Sequence, residues 1–251
     1  MDLDVKDRVA VITGCSVGIG REVAKRMAAE GVQTVAVARR AHLLGTLADE
    51  IEKAGGVRPF AVSLDLYDRA AAEQLRDAVL GRYGRADILV NNAGGSRPMP
   101  WDSPDDAWDE SFAINFTAVR KITQAFLPGM IERRWGRVVC VTGTAEPRQV
   151  NAAVAAKAGV HAWAKGLSRE MGPHGITVNC VSPGRVHSEQ IDEKLHPTPE
   201  SQAAFTRENI PLGYFGDAAD VAWLVAFLTS ERARYITGER IHVDGGMHRA
   251  V

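Results

Sequence analysis

Short apolar runs alternate with longer amphipathic stretches along almost the whole of this chain, and few architectures can absorb that rhythm. The strand-like runs are Val9–Thr13, Thr34–Ala38, Pro59–Ser63, Ile88–Val90, Val138–Thr142, Thr177–Val181 and Ile241–Val243. Helical patterns fall between them, at 19–30, 42–54, 69–82, 105–132, 152–171 and 218–229. Alternation of this kind predicts an α/β fold in which a parallel sheet is buried under helices on both faces. Crossovers of one hand then wind it into a doubly wound, three-layer sheet of about seven strands.

No internal repeat, low-complexity tract or Pro/Ser-rich linker divides residues 1–251, so a single domain is expected. At 251 residues and 45% hydrophobic content the chain has ample material for one core. The least regular stretch, Arg185–Gly216, carries three prolines, mixed charge and a short helical pattern near Glu200–Asn209. It follows the sixth strand, at a carboxyl end where open α/β sheets bind ligands, and reads as a substrate-covering loop. Thirty basic side chains stand against 31 acidic ones. That balance offers no attraction for nucleic acid or an anionic membrane. Cys15, Cys140 and Cys180 form no CxxC pair and have apolar flanks, as small buried hydrophobes do. The acidic start MDLDVKDR lacks the basic-then-apolar order of a secretory signal, and a cytoplasmic location is expected.

The first strand runs into TGCSVGIG, Thr13 to Gly20, and from there into a helical pattern. Gly14 can turn tightly, Gly18 lets backbone approach a diphosphate, and Gly20 lets the helix pack closely. Free N–H groups at the helix start, with the positive end of its dipole, would face phosphates. The loop therefore supplies Gly14, Ser16, Val17, Gly18, Ile19 and Gly20 as candidate cofactor-binding residues of a Rossmann-type domain. The second strand ends Val37-Ala38-Arg39-Arg40, with no acid before Asp49. A carboxylate there would bind a ribose 2′-hydroxyl, whereas a guanidinium suits a 2′-phosphate. Arg39 and Arg40 thus favour NADP(H) over NAD(H).

The glycine spacing resembles that of the short-chain dehydrogenases/reductases, and further segments in the same order extend the likeness over nearly the whole chain. Asn91-Asn92-Ala93-Gly94 is similar to the family's NNAG segment, and Asp65 with Leu66 falls where the family contacts adenine. Asn115, in FAINF, matches its active-site asparagine, and Lys157, in AAKAG, the lysine of its YxxxK motif. Ser182-Pro183-Gly184, Ile236-Thr237-Gly238 and Val243-Asp244-Gly245-Gly246 resemble its later signatures. The resemblance implies cofactor contacts from Asp65, Leu66, Asn92, Ala93, Gly94, Lys157, Pro183, Gly184, Val186 and Ser188. It implies catalytic roles for Asn115 and Lys157, and a homo-oligomer, a tetramer or dimer, built from the helices at 105–132 and 152–171 and the last strand.

One part of that pattern fails. The family delivers a proton from a tyrosine four positions before the lysine, and here that position is Ala153. The family's serine position aligns with Gly143, leaving Thr142 or Thr144 as a substitute hydroxyl, of which Thr144 is the better placed because Thr142 continues the strand. Glu146, His187 and Tyr214 are the other candidates for a proton source, and His161 reads as packing. No His/Cys/Asp/Glu grouping has metal-ligand spacing, so no metal is expected. The resulting expectation is an NADP(H)-dependent oxidoreductase on a small-molecule carbonyl or alcohol, with altered proton delivery. A non-redox enzyme of the same fold (dehydratase, isomerase or cyclase) and a non-catalytic NADP(H)-binding protein are the alternatives.

Overall fold

The computed structural model describes residues 2–96, 99–144, 146–147 and 149–250. Its strands are β1 (Val9–Thr13), β2 (Gln33–Ala38), β3 (Phe60–Ser63), β4 (Ile88–Asn91), β5 (Gly136–Val141), β6 (Ile176–Pro183) and β7 (Arg240–Val243). They form one 7-stranded sheet in the order β3-β2-β1-β4-β5-β6-β7. Every pairing is parallel. The helices are α1 (Gly18–Ala29), α2 (Ala41–Lys53), α3 (Ala71–Tyr83), α4 (Asp105–Phe112), α5 (Ala118–Arg133), α6 (Ala152–Met171), α7 (Pro199–Asn209) and α8 (Ala218–Leu228).

Strands β1, β4 and β5 are buried at every residue, which is why they read as continuous apolar runs. Alternate residues serve opposite faces. Ile12, Val90 and Val139 pack with Met27, Leu44 and Val225 of α1, α2 and α8. Val11, Leu89 and Val138 pack with Leu75, Ile122 and Val160 of α3, α5 and α6 on the other side. Edge strand β3 alternates between half-buried and exposed, and β7 is half-buried throughout. Strand β3 begins at Phe60, which pairs with Val35, rather than at Pro59. Proline has no N–H to give the ladder.

The expected long helix at 105–132 is interrupted. A π-helical turn, Ala113–Thr117, joins α4 to α5. The short helical pattern expected inside 185–216 is α7, started by a capping box in which Thr198 and Ser201 satisfy each other's backbone.

The chain fills one side of the sheet with β1, β2 and β3, then crosses back to β4. The topological switch point therefore lies between the carboxyl ends of β1 and β4, where open α/β sheets form their ligand crevice. All three cysteines are free and buried. The Cys15 thiol donates to the Ile12 carbonyl at 3.0 Å, and burial pushes it up to about 12, so it is an inert packing group despite its place in the glycine loop. Among the described residues, no helix is long and apolar enough to cross a membrane.

Candidate active site

A cavity of about 950 Å³ opens at the switch point. Leaving aside the alternative proton sources Glu146, His187 and Tyr214, every cofactor or catalytic candidate named from the sequence lines it with one exception: Gly14, Ser16, Val17, Gly18, Ile19, Arg39, Arg40, Asp65, Leu66, Asn92, Ala93, Gly94, Asn115, Thr144, Lys157, Pro183, Gly184, Val186 and Ser188. The exception is Gly20, which stands behind the wall. A Cβ on it would come within 2.4 Å of both the Gly14 carbonyl oxygen and the Asn92 side-chain amide. Gly20 therefore shapes the loop from behind.

The glycine loop depends on backbone that other residues resist. Gly14 has φ +75° and Gly18 φ +60°. A Cβ on Gly18 would meet nothing closer than Ser188 Cβ at 4.0 Å, so the loop is open toward the cavity there. Helix α1 starts without a side-chain cap and without an acidic residue in its first turn. Its first N–H groups are thus unspent, and the helix dipole adds to their attraction for an anion. The floor is fixed by Thr13, whose hydroxyl accepts from the backbone N–H groups of Asn92 and Ala93 at 3.0 Å each. The Asn92 amide donates back to the Thr13 carbonyl at 3.0 Å. These bonds lock the ends of β1 and β4 together across the switch point.

At one end, Arg39 is exposed, lines the cavity and has no side-chain partner among the described residues. Arg40 is engaged, donating to Ser16 Oγ at 3.1 Å and pairing with Glu189. Asp65 accepts from the Tyr67 N–H at 3.1 Å in an Asx turn that presents Leu66 and Tyr67 to the cavity wall.

At the other end, Lys157 projects from α6 and donates to the Thr142 carbonyl at 3.0 Å. Burial pushes its ammonium down to about 8 from the ordinary 10.5. Asn115 lies on the π turn. The wider turn lets its side-chain amide reach back to the Ser111 carbonyl at 2.9 Å, while its oxygen accepts from the Gly95 N–H at 3.1 Å. Ala153 and Gly143 line the cavity beside Lys157, so an apolar methyl and bare backbone stand there.

The hydroxyl of Thr142 is committed inward, to the Val181 carbonyl (3.1 Å), Ser182 Oγ (3.0 Å) and His161 Nε2 (2.7 Å). Thr144 Oγ accepts only the Glu146 N–H at 3.0 Å among these bonds, which leaves its own proton to give. His161 is more than packing. It ends a chain that runs through Thr142 and Ser182 to Arg240, whose guanidinium also donates to the Gly143 carbonyl at 3.2 Å. Burial first, then the charges of Arg240, His242 and Lys157, push the imidazole down to about 4. It is a neutral buttress behind the cavity wall, and only its place one turn after Lys157 hinted at that.

Of the other proton candidates, Glu146 turns away. Its carboxylate accepts from the backbone N–H groups of Arg249 and Ala250 and pairs with His248 at 3.3 Å. Tyr214 is exposed in a separate groove beside α7. His187 alone of the three lines the cavity, and its Nδ1 is held 2.8 Å from Asp192. Among the described residues no group of His, Cys, Asp and Glu could hold a metal.

Of the excursion 185–216, the stretch from Arg185 to Ile191 lines the cavity. The neck of the excursion is closed by a bridge between Val186 and Gly216 and by the His187 N–H bonded to the Gly216 carbonyl at 2.9 Å. Inside it His196, Phe205 and Phe215 pack ring against ring, with the Arg185 guanidinium over Phe205.

The model of a family described as Enoyl-(Acyl carrier protein) reductase matches residues 14–248. The 3-oxoacyl-[acyl-carrier-protein] reductase of Escherichia coli is 34% identical over 251 residues, covering 98% of this chain and 99% of that one. An uncharacterized short-chain type dehydrogenase/reductase of Sinorhizobium fredii is 36% identical over 258 residues, covering 97% and 98%. The crystal structure of L-sorbose reductase from Gluconobacter frateurii, complexed with NADPH and L-sorbose, superposes with a TM-score of 0.95 at 28% identity, covering 100% of each chain. Matches of this extent settle the lineage: the chain belongs to the short-chain dehydrogenase/reductase family.

Proposed function

We propose that this chain is an NADP(H)-dependent oxidoreductase acting on a small-molecule carbonyl/alcohol pair, with Lys157 rather than a tyrosine at the proton-transfer position. The observation that carries this reading is one continuous cavity, with an uncapped helix start and an unpaired arginine toward one end and a half-buried lysine at the other. The α1 amides would hold the diphosphate, Arg39 and then Arg40 the 2′-phosphate, and Asp65 with Leu66 the adenine. Asn92, Ala93, Gly94, Pro183, Gly184, Val186 and Ser188 would form the walls nearer the nicotinamide, and the similar L-sorbose reductase structure is complexed with NADPH. When bound, a nicotinamide supplies or accepts hydride.

Lys157 and Thr144 then give the substrate oxygen a proton and a hydrogen bond, and Asn115 orders water beside them. General acid–base help of this kind is worth about 10² to 10⁴ in rate. The titration of Lys157 near 8 suits it to exchange protons close to neutrality. Ala153 and Gly143 favour a second reading, in which the same pocket serves non-redox chemistry. Turnover without net change in the nucleotide would select it. The half-exposed edge strand β7 and the helices α4 to α6 are the faces through which we propose that copies of the chain associate.

Titration with NADPH and NADH is the deciding experiment. NADPH should bind saturably, and Arg39→Ala should weaken it by about tenfold or more while NADH changes little, because a guanidinium–phosphate contact is lost only with the former. No saturable signal with either nucleotide would overturn the proposal.

The altered proton site makes a separate prediction. Among the described residues a Cβ on Gly143 would meet only Lys157 Cδ at 4.0 Å, so a side chain can start there without a clash. Ala153→Tyr with Gly143→Ser should keep NADPH binding and raise reductase turnover on a carbonyl panel by about tenfold or more. The rate of NADPH oxidation is the measurement.

A further inference from the structure

Two consecutive residues of the covering segment hold the cavity from either side of the switch point. Gln190 donates to the Ser96 carbonyl at 2.6 Å, on the β4 side. Glu189 reaches the β2 side, where both of its carboxylate oxygens accept from Arg40 at 3.2 to 3.3 Å. The same guanidinium donates to Ser16 Oγ in the glycine loop at 3.1 Å. Three separate segments thus meet on one arginine, and that arginine lines the cavity where the strand β2 terminus would read the adenosine ribose.

Resting on the cofactor reading above, we propose that Glu189 is a specificity-determining residue: its carboxylate competes with a 2′-phosphate for Arg40. A nucleotide with a free 2′-hydroxyl leaves the Arg40–Glu189 pair intact and the segment fastened. A 2′-phosphate brings further negative charge to the same fork of donors, so the carboxylate must withdraw and the outer fastening opens. Arg39, which has no such competitor, binds the phosphate without that cost. Glu189 therefore narrows the preference for NADP(H) over NAD(H) and ties mobility of the cover to the phosphate.

The pair is half-exposed, with side-chain exposures of 42% and 50%. A competitor of this kind is worth a modest factor that salt weakens. Binding of NADPH and NADH is measured for the full chain, for Glu189→Gln, for Arg40→Met and for the double variant. Glu189→Gln should tighten NADPH by about three- to tenfold and leave NADH within about twofold. The gain should vanish in the Arg40→Met background and shrink in high salt. An equal change for both nucleotides, no change, or a gain that persists without Arg40 would overturn the proposal. In each of those cases NADPH still binds and the cofactor reading stands. If the unaltered protein bound neither nucleotide, that reading would fail first and Glu189 would have nothing to compete with.

Discussion

Replacing Lys157 with methionine should remove nearly all turnover and, at neutral pH, make the fold more stable. The loss follows from removing the group we propose as proton donor, and is expected at about 10² to 10⁴ in rate. The gain follows from burial. Holding this ammonium in the cavity wall lowers its affinity for a proton from the ordinary 10.5 to about 8, so the folded state bears a cost that the unfolded chain does not. Methionine fills a similar space without that cost but leaves the Thr142 carbonyl without its donor. The net gain should be on the order of 1 to 2 kcal/mol.

The sign of the pH dependence is fixed. Below about 8 both folded and unfolded lysine carry the proton and the cost is complete. Between about 8 and 10.5 the unfolded state binds more protons, so the unaltered protein gains stability with rising pH and the advantage of methionine fades. Reduction of a carbonyl should slow as pH rises through about 8, and alcohol oxidation should quicken. Denaturant melts of both proteins at several pH values test the first statement. An unchanged or destabilised Lys157→Met variant at pH 7 would show that the ammonium is better solvated than its surroundings indicate.

The second large effect belongs to Gly20. Adding one methyl group there sets a carbon 2.4 Å from the Gly14 oxygen and 2.4 Å from the Asn92 amide, and backbone on one side cannot rotate away. Gly20→Ala should therefore cost about 2 to 4 kcal/mol, or roughly 5 to 15 °C of melting temperature for a chain of this size. Because the same displacement moves the Gly14 turn and loosens Asn92 from Thr13, affinity for NADPH should fall by more than tenfold. Gly18→Ala is the informative contrast, since its neighbourhood is open and only its φ of +60° is strained. It should cost less stability, about 1 to 2 kcal/mol, than the crowded position.

The sheet was legible because its central strands are sealed on both faces. Val9–Thr13 has no polar alternation to confuse with a helix face, and its neighbours in the sheet are nearly as apolar. The glycine loop was legible for a different reason: left-handed backbone at Gly14 and Gly18 demands a residue type that is written in the sequence. Positions set by contacts between distant segments were not. Nothing near Arg40 announces that Glu189, 149 residues away, takes its guanidinium. Nothing near Glu146 announces that the C-terminal backbone at Arg249 and Ala250 turns it from the cavity. FAINF gives no sign of a π turn, because the composition that supports an α-helix supports the wider coil equally well. His161 is read from its spacing on a helix, whereas its role depends on a hydroxyl just past β5, another on β6 and a guanidinium on β7.

The pinched neck at Val186 and Gly216, with three rings gathered beneath it, has a consequence for how such a protein diversifies. A flap that carries its own adhesive can be lengthened, shortened or rewritten as a cassette beyond its cavity-lining stretch 185–191. Such edits would alter which molecules are admitted while leaving the stretch 185–191, and with it the proposed nucleotide seat, in place.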